Sequence, residues 1–263
     1  MRSSRNILAI IGLMFIFSCQ NDTIDPNPPG IPCKLIRINY YTVSPNGGLQ
    51  EYSFSYTGDN ITEVKSNVDR FVFFYDASNN IIRKEMYIIG DPVVKMQVDY
   101  TYDNQNRLIK KKKVGGGWIY YNSTQEYFYS NGNMTEIKFY GPNGTYLGNQ
   151  IWTWVNNNPI TRVVAMGSRN YSVNNFFDLT KENKLISIYK NFFQIVYEDE
   201  GSDDPYGLII FLGKNLLIKE YVSASENDVY SYTFNNNGYI KDIYISENSS
   251  SPSLTMSFSY SCD

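Results

Sequence analysis

The chain has 263 residues, with 23 Lys+Arg against 26 Asp+Glu, a formal net charge of -3 and a sequence pI near 5.2. That mildly acidic balance argues against nucleic acid as a partner, because phosphate binding needs a basic face. The lack of any histidine removes the usual general base, the usual Ser and Cys triads and the commonest metal ligand.

The N-terminus has the pattern of an export signal. Arg2 and Arg5 precede an apolar run of 11 residues, Ile7 to Phe17. Such a run suits a signal core and falls short of the ~20 residues of a spanning helix. Ile16-Phe17-Ser18-Cys19 resembles a bacterial lipobox, although Phe17 is bulkier than that motif usually carries. The resemblance implies that residues 1–18 are a cleaved signal peptide and that Cys19 becomes lipid-modified. Removing residues 1–18 takes away two arginines and no acid, which moves the formal charge from -3 to -5. Residues 19–31, polar and rich in proline, then read as a flexible tether. The expected location is the cell envelope, lipid-anchored at the outer membrane, on either face.

Residues 32–263 are long enough for a single domain with its own core. With Cys19 lipidated, Cys33 and Cys262 remain, one at each end of that domain. In an oxidising compartment such a pair favours a disulfide. Two cysteines without histidine make a poor zinc site.

Along this domain, aromatic residues two apart recur, each pair followed by turn-forming residues. Phe54/Tyr56 leads into Thr57-Gly58-Asp59-Asn60, and Phe73/Tyr75 into Asp76-Ala77-Ser78-Asn79-Asn80. Tyr100/Tyr102, Tyr127/Tyr129, Trp152/Trp154 and Tyr232/Phe234 repeat the arrangement, and Phe258/Tyr260 closes the chain. Spacing of two puts both rings on one face of a strand. Asn, Asp and Gly then supply the left-handed conformations of a tight reversal.

After several of the turns comes an apolar residue, then another three positions on, as in Ile61/Val64, Met134/Ile137, Ile160/Val163 and Ile240/Ile243. Three is odd, so a bulge is expected just after the turn. Gly90-Asp91-Pro92, Gly115-Gly116-Gly117 and Gly141-Pro142-Asn143-Gly144 supply turns at the opposite end. Lys110 to Lys113 read as a solvated or edge strand, with alternate lysines on opposite faces. From Tyr56 through Tyr75, Tyr102 and Tyr129 to Trp154 the steps are 19, 27, 27 and 25 residues, one hairpin each. The expected fold is all-β: a long antiparallel meander of about 16–19 short strands forming a large curved or barrel-like sheet.

Tyr100-Thr101-Tyr102-Asp103-Asn104-Gln105-Asn106-Arg107 resembles the tyrosine–aspartate (YD) repeat of Rhs-type envelope and toxin-shell proteins. The other copies are degenerate. Together with the lipobox, the chain is similar to a group of uncharacterised Bacteroidota lipoproteins with a porin-like fold. That likeness implies a barrel-like sheet and brings no catalytic residues. A spanning barrel is disfavoured by the lipid anchor and by strands short against the ~9–11 residues a bilayer requires.

No constellation names a reaction. The expected function is a binding or scaffold module for a glycan, a peptide or an envelope partner protein. The alternatives are a carboxylate-pair glycoside hydrolase and a purely structural envelope component. Trp118, Tyr120, Trp152 and Trp154 are candidates for sugar stacking, with ordinary strand packing as the alternative. Glu198, Asp199, Glu200, Asp203 and Asp204 are candidate Ca²⁺ ligands, with a solvated loop as the alternative. No other cofactor is expected.

Overall fold

In the computed structural model the residues described are 33–41, 49–115, 123–183, 214–223, 226–247 and 250–261. Sixteen antiparallel strands close into a barrel in simple meander order, and the last strand pairs with the first. The first eight are β1 (Lys34–Tyr41), β2 (Leu49–Thr57), β3 (Asn60–Lys65), β4 (Asp69–Tyr75), β5 (Ile81–Ile88), β6 (Met96–Tyr102), β7 (Leu108–Gly115) and β8 (Thr124–Ser130). The rest are β9 (Asn133–Tyr140), β10 (Tyr146–Val155), β11 (Asn158–Met166), β12 (Arg169–Glu182), β13 (Asn215–Ser223), β14 (Glu226–Phe234), β15 (Ile240–Glu247) and β16 (Ser253–Ser261). The one helical piece among the described residues is the short turn Pro142–Gly144.

The turns on one rim follow from their residues. Asn131 and Gly132, like Asn156 and Asn157, hold positive φ, as a two-residue reversal demands. Longer turns use an acid or amide as an internal hub. The Asp76 carboxylate accepts from Ser78 N and Asn80 N, and Asp103 from Gln105 N and Arg107 N. Asn235 accepts from Asn237 N and Tyr239 N in the same pattern. Asn79, Asn106 and Gly238 supply the left-handed residue in each.

The odd spacing after the turns is a bulge, as the sequence pattern requires. Tyr56 pairs with Ile61 while Ser55 pairs with Glu63, so Thr62 is the extra residue. The same shift makes Ile82, Ile109, Thr135, Ile160 and Lys241 the extra residues on β5, β7, β9, β11 and β15. Ile218 on β13 and Ile36 on β1 complete the set. Each bulge keeps the residue before it, and the residue three positions on from that one, facing inward. Both are apolar in Ile61/Val64 and Ile240/Ile243, but the second is charged in Ile81/Lys84, Leu108/Lys111 and Leu217/Glu220.

The core fills the barrel interior. Leu35, Phe54, Val64, Phe73, Ile81, Val98, Tyr100, Ile137, Trp152, Leu217, Ile243 and Phe258, drawn from strands around the ring, belong to one buried cluster. Outward positions from β1 to β8 carry cross-strand ion pairs: Arg37–Glu51, Arg70–Glu63, Arg83–Asp99 and Lys110–Glu126, at 3.4, 3.6, 2.9 and 3.7 Å. A spanning barrel has the reverse polarity, with an apolar band all round its outside. Charge on half the circumference therefore excludes a complete lipid belt. Strand length carries no such argument: β10 has ten residues and β12 fourteen.

The edge-strand reading of the lysine run is corrected. β7 lies between β6 and β8 in a closed ring, which has no edge. Lys110 and Lys112 are exposed as expected, but Lys111 is buried.

Candidate functional site

At the rim of the tight turns, each hairpin is tied to its neighbour by a side chain. Tyr56, Tyr75, Tyr102 and Tyr129 donate their hydroxyls to the carbonyls of Leu35, Ile61, Ile81 and Leu108. Trp154 Nε1 donates to Met134 O, Tyr232 to Leu217 O and Tyr260 to Ile240 O. On β12 the corresponding link is Asn175 Nδ2 to Pro159 O. All eight lie between 2.5 and 2.9 Å. In every case the acceptor is the residue immediately before a bulged one. The bulge frees that carbonyl from the ladder, and the neighbouring strand satisfies it. Where the second aromatic of the pair is a phenylalanine, Phe177 or Phe234, the residue two positions earlier makes the link. Burial pushes the Tyr75 and Tyr129 hydroxyls up to about 12.

The start of the first strand and the end of the last meet on this rim. Lys34 pairs with Ser261 and Leu35 with Tyr260, repeating the register of Asn60 with Thr57 and Ile61 with Tyr56. The β16–β1 junction is thus built like a hairpin whose turn has been cut open. Cys33 is disulfide-bonded, and Asn237 Nδ2 lies 3.6 Å from its sulfur. Cys262, Cys19, Trp118, Tyr120 and Glu198 to Asp204 fall outside the described residues.

Trp152 and Trp154 are packed rather than displayed. Trp152 is 3% exposed and faces the interior, with the Arg162 guanidinium 5.5 Å from its ring. Trp154 is half-buried and spends its N–H on Met134 O. An exposed stacking platform is absent at both positions. Among the described residues, no group of three or more Cys, Asp or Glu could hold a metal ion.

The interior departs from apolar character at Lys84 on β5, at Lys111 on β7 and in a group of residues on β10 to β14. Gln150, Arg162, Asn175 and Glu220 are all buried there, on four successive strands. Arg162 pairs directly with Trp152, and Glu220 with Asn175. Gln150 and Asn175 occupy diagonal positions on either side of Arg162, within reach of a long side chain. Tyr230 donates to Glu220 Oε2 at 2.5 Å. Burial first, then that carboxylate, push its hydroxyl far above the ordinary value. Outside, the same sector exposes Ile151, Val163 and Phe176.

Sequence reasoning missed this cluster. The signal that could have found it is parity: counted from Trp152 across the bulge at Ile160, Arg162 falls on the inward face. A charged residue at an inward position is the anomaly to look for.

At the opposite rim, Val68, Ile88, Ile89, Val93 and Val94 are exposed on adjacent loops. Ile89 N donates to Val68 O at 2.8 Å, which holds the two loops together.

No protein-family model matches the chain, and no curated protein matches its sequence. Among solved structures, it is similar to a porin-like protein from Bacteroides uniformis, with a TM-score of 0.57 at 12% identity. That match covers 88% of this chain and 98% of the other. A porin-like protein from Bacteroides vulgatus matches at a TM-score of 0.44 and 9% identity, over 87% of this chain and 99% of that one. The likeness is one of fold. It establishes a porin-like β-barrel and assigns no ligand.

Proposed function

We propose that the protein is a cell-envelope lipoprotein, acylated at Cys19, whose barrel stands in water as a binding or scaffold module. The observation that carries this reading is the polarity of the barrel, with its core inside and ion pairs on its outer face. A wall of that kind suits a tethered domain better than a bilayer-spanning pore.

Val68, Ile88, Ile89, Val93 and Val94 form exposed apolar tips at the rim opposite the tight turns. A contiguous exposed apolar patch on a soluble domain marks an interaction surface, which favours an envelope partner protein at that rim. The charged arc from β1 to β8 stays hydrated.

Two measurements test the reading. Radiolabelled fatty acid enters the wild-type protein and fails to enter Cys19→Ala; continued labelling of the variant ends the lipoprotein assignment. In-cell crosslinking of the wild type yields a discrete adduct that Val93→Asp with Ile88→Asp abolishes, while the melting temperature stays unchanged. An adduct pattern indifferent to those substitutions removes the far rim as the binding face.

A further inference from the structure

We propose that the outer wall at β8–β10 is a binding site for a neutral saccharide, with Tyr146 as its stacking platform and Glu126, Glu136 and Asn149 as its polar partners. At 53% exposure Tyr146 is the most exposed aromatic among the described residues. Its place on the wall is set by a bulge. Leu147 is an extra residue on β10, between the pairs Tyr146–Tyr140 and Gly148–Phe139. Gly148 is buried on the inward face with Gln150 and Trp152, so strict alternation would turn Tyr146 inward too. The extra residue brings it to the outer face beside Tyr140. This bulge does not follow a tight turn and frees no carbonyl for the hairpin links. Tyr146 meets Tyr140 edge to face, with centroids 5.8 Å apart and planes at 63°. The contact holds the ring while its exposure leaves it open to a ligand.

Register places the polar groups around it. Two residues from the Tyr140–Tyr146 pair, about 7 Å along the strands, Lys138 pairs with Asn149 on one side and Glu126 on the other. Burial first, then the nearby Glu126 carboxylate, raise the Tyr140 hydroxyl above its ordinary value. Asn149 Nδ2 donates to Glu136 Oε1 at 2.7 Å, and Glu136 lies 3.8 Å from Lys138 Nζ. Glu126 lies 3.7 Å from Lys110 Nζ. Two lysines thus offset two glutamates, and these four groups present no net charge to select an ion. Their carboxylates, with Asn149 Oδ1, keep lone pairs for further donors. A ring with an apolar face and hydroxyls at its edge matches both features. It stacks on Tyr146 and donates to the carboxylates and the amide. An acidic saccharide would set its own carboxylate against the glutamates, and a lipid tail would desolvate them without a partner.

The site needs neither acylation of Cys19 nor the apolar loops at Val68 and Val93. The full-length protein in detergent would be screened on an array of neutral oligosaccharides and their uronic-acid counterparts, and the best neutral one titrated by calorimetry. The wild type is expected to bind a neutral member, and Tyr146→Phe to keep that affinity. Tyr146→Ala should lose about tenfold, and Asn149→Ala should weaken binding as well, both with melting temperatures near that of the wild type. An array without a bound neutral saccharide overturns the proposal. So does a preference for the acidic series, or wild-type affinity in Tyr146→Ala. An empty array together with a crosslink that Val93→Asp with Ile88→Asp abolishes would remove this site and leave the partner-binding rim standing.

Discussion

The hydroxyl of Tyr129 reaches Leu108 O at 2.8 Å while its ring lies 4.9 Å from the Arg107 guanidinium. Tyr129→Phe keeps the ring and its cation contact and leaves the carbonyl without its donor. The expected loss is about 1–2 kcal/mol by denaturant unfolding; no measurable loss would show that water replaces the hydroxyl without cost. Tyr75 and Tyr129 are held up to about 12, mainly by burial, against an ordinary value of 10.0. The folded state thus favours the neutral phenol. This contribution is complete below pH 10 and is lost as the pH rises through about 12. Replacing both tyrosines with phenylalanine should flatten the alkaline fall in melting temperature across that window, and an unchanged slope would contradict the assignment. The aromatic pairs were legible in sequence as same-face residues. Their carbonyl partners were not, because the acceptors lie on the preceding strand and are freed only by a bulge.

At the scale of the element, the spacing of three in Ile61/Val64 and Ile240/Ile243 was enough to place the bulges, since strict alternation cannot carry both residues inward. The bulge in β10 next to Gly148 was not foreseen. There φ is +147°, and a Cβ would lie 2.1 Å from Ala165 O. Gly148→Ala is expected to cost about 2–3 kcal/mol through local overpacking, read as a fall in urea midpoint with an unchanged slope; near-wild-type stability would mean that the strand relaxes freely. The junction of β16 and β1 makes a further prediction. Because its register continues that of a hairpin, Cys262 is the expected partner of Cys33, and the disulfide stands where the other hairpins have a turn. A non-reducing peptide map should recover the Cys33–Cys262 link. Its reduction should lower stability by up to ~5 kcal/mol, the chain-entropy value for so long a loop. Free alkylation of both thiols in the oxidised protein would contradict the pairing.

At the scale of the whole molecule, the two-residue aromatic period and the recurring turn clusters specify the meander and nearly its strand number. Closure depends on contact between β1 and β16, which are separated by almost the full length of the domain, and no local pattern encodes it. The buried Lys84, Lys111, Arg162 and Glu220 escaped notice for a related reason. In a curved wall they read locally as solvated charges, and only closure turns their side of the sheet into an interior. On the proposed reading, the barrel stands in water and relies on Cys19 for its membrane. Partition between aqueous and detergent phases, comparing wild type with Cys19→Ala, tests this most directly. The account predicts wild-type protein in the detergent phase and the variant in the aqueous phase, folded and without detergent. A folded variant that remains in the detergent phase would show that the barrel wall itself holds the membrane.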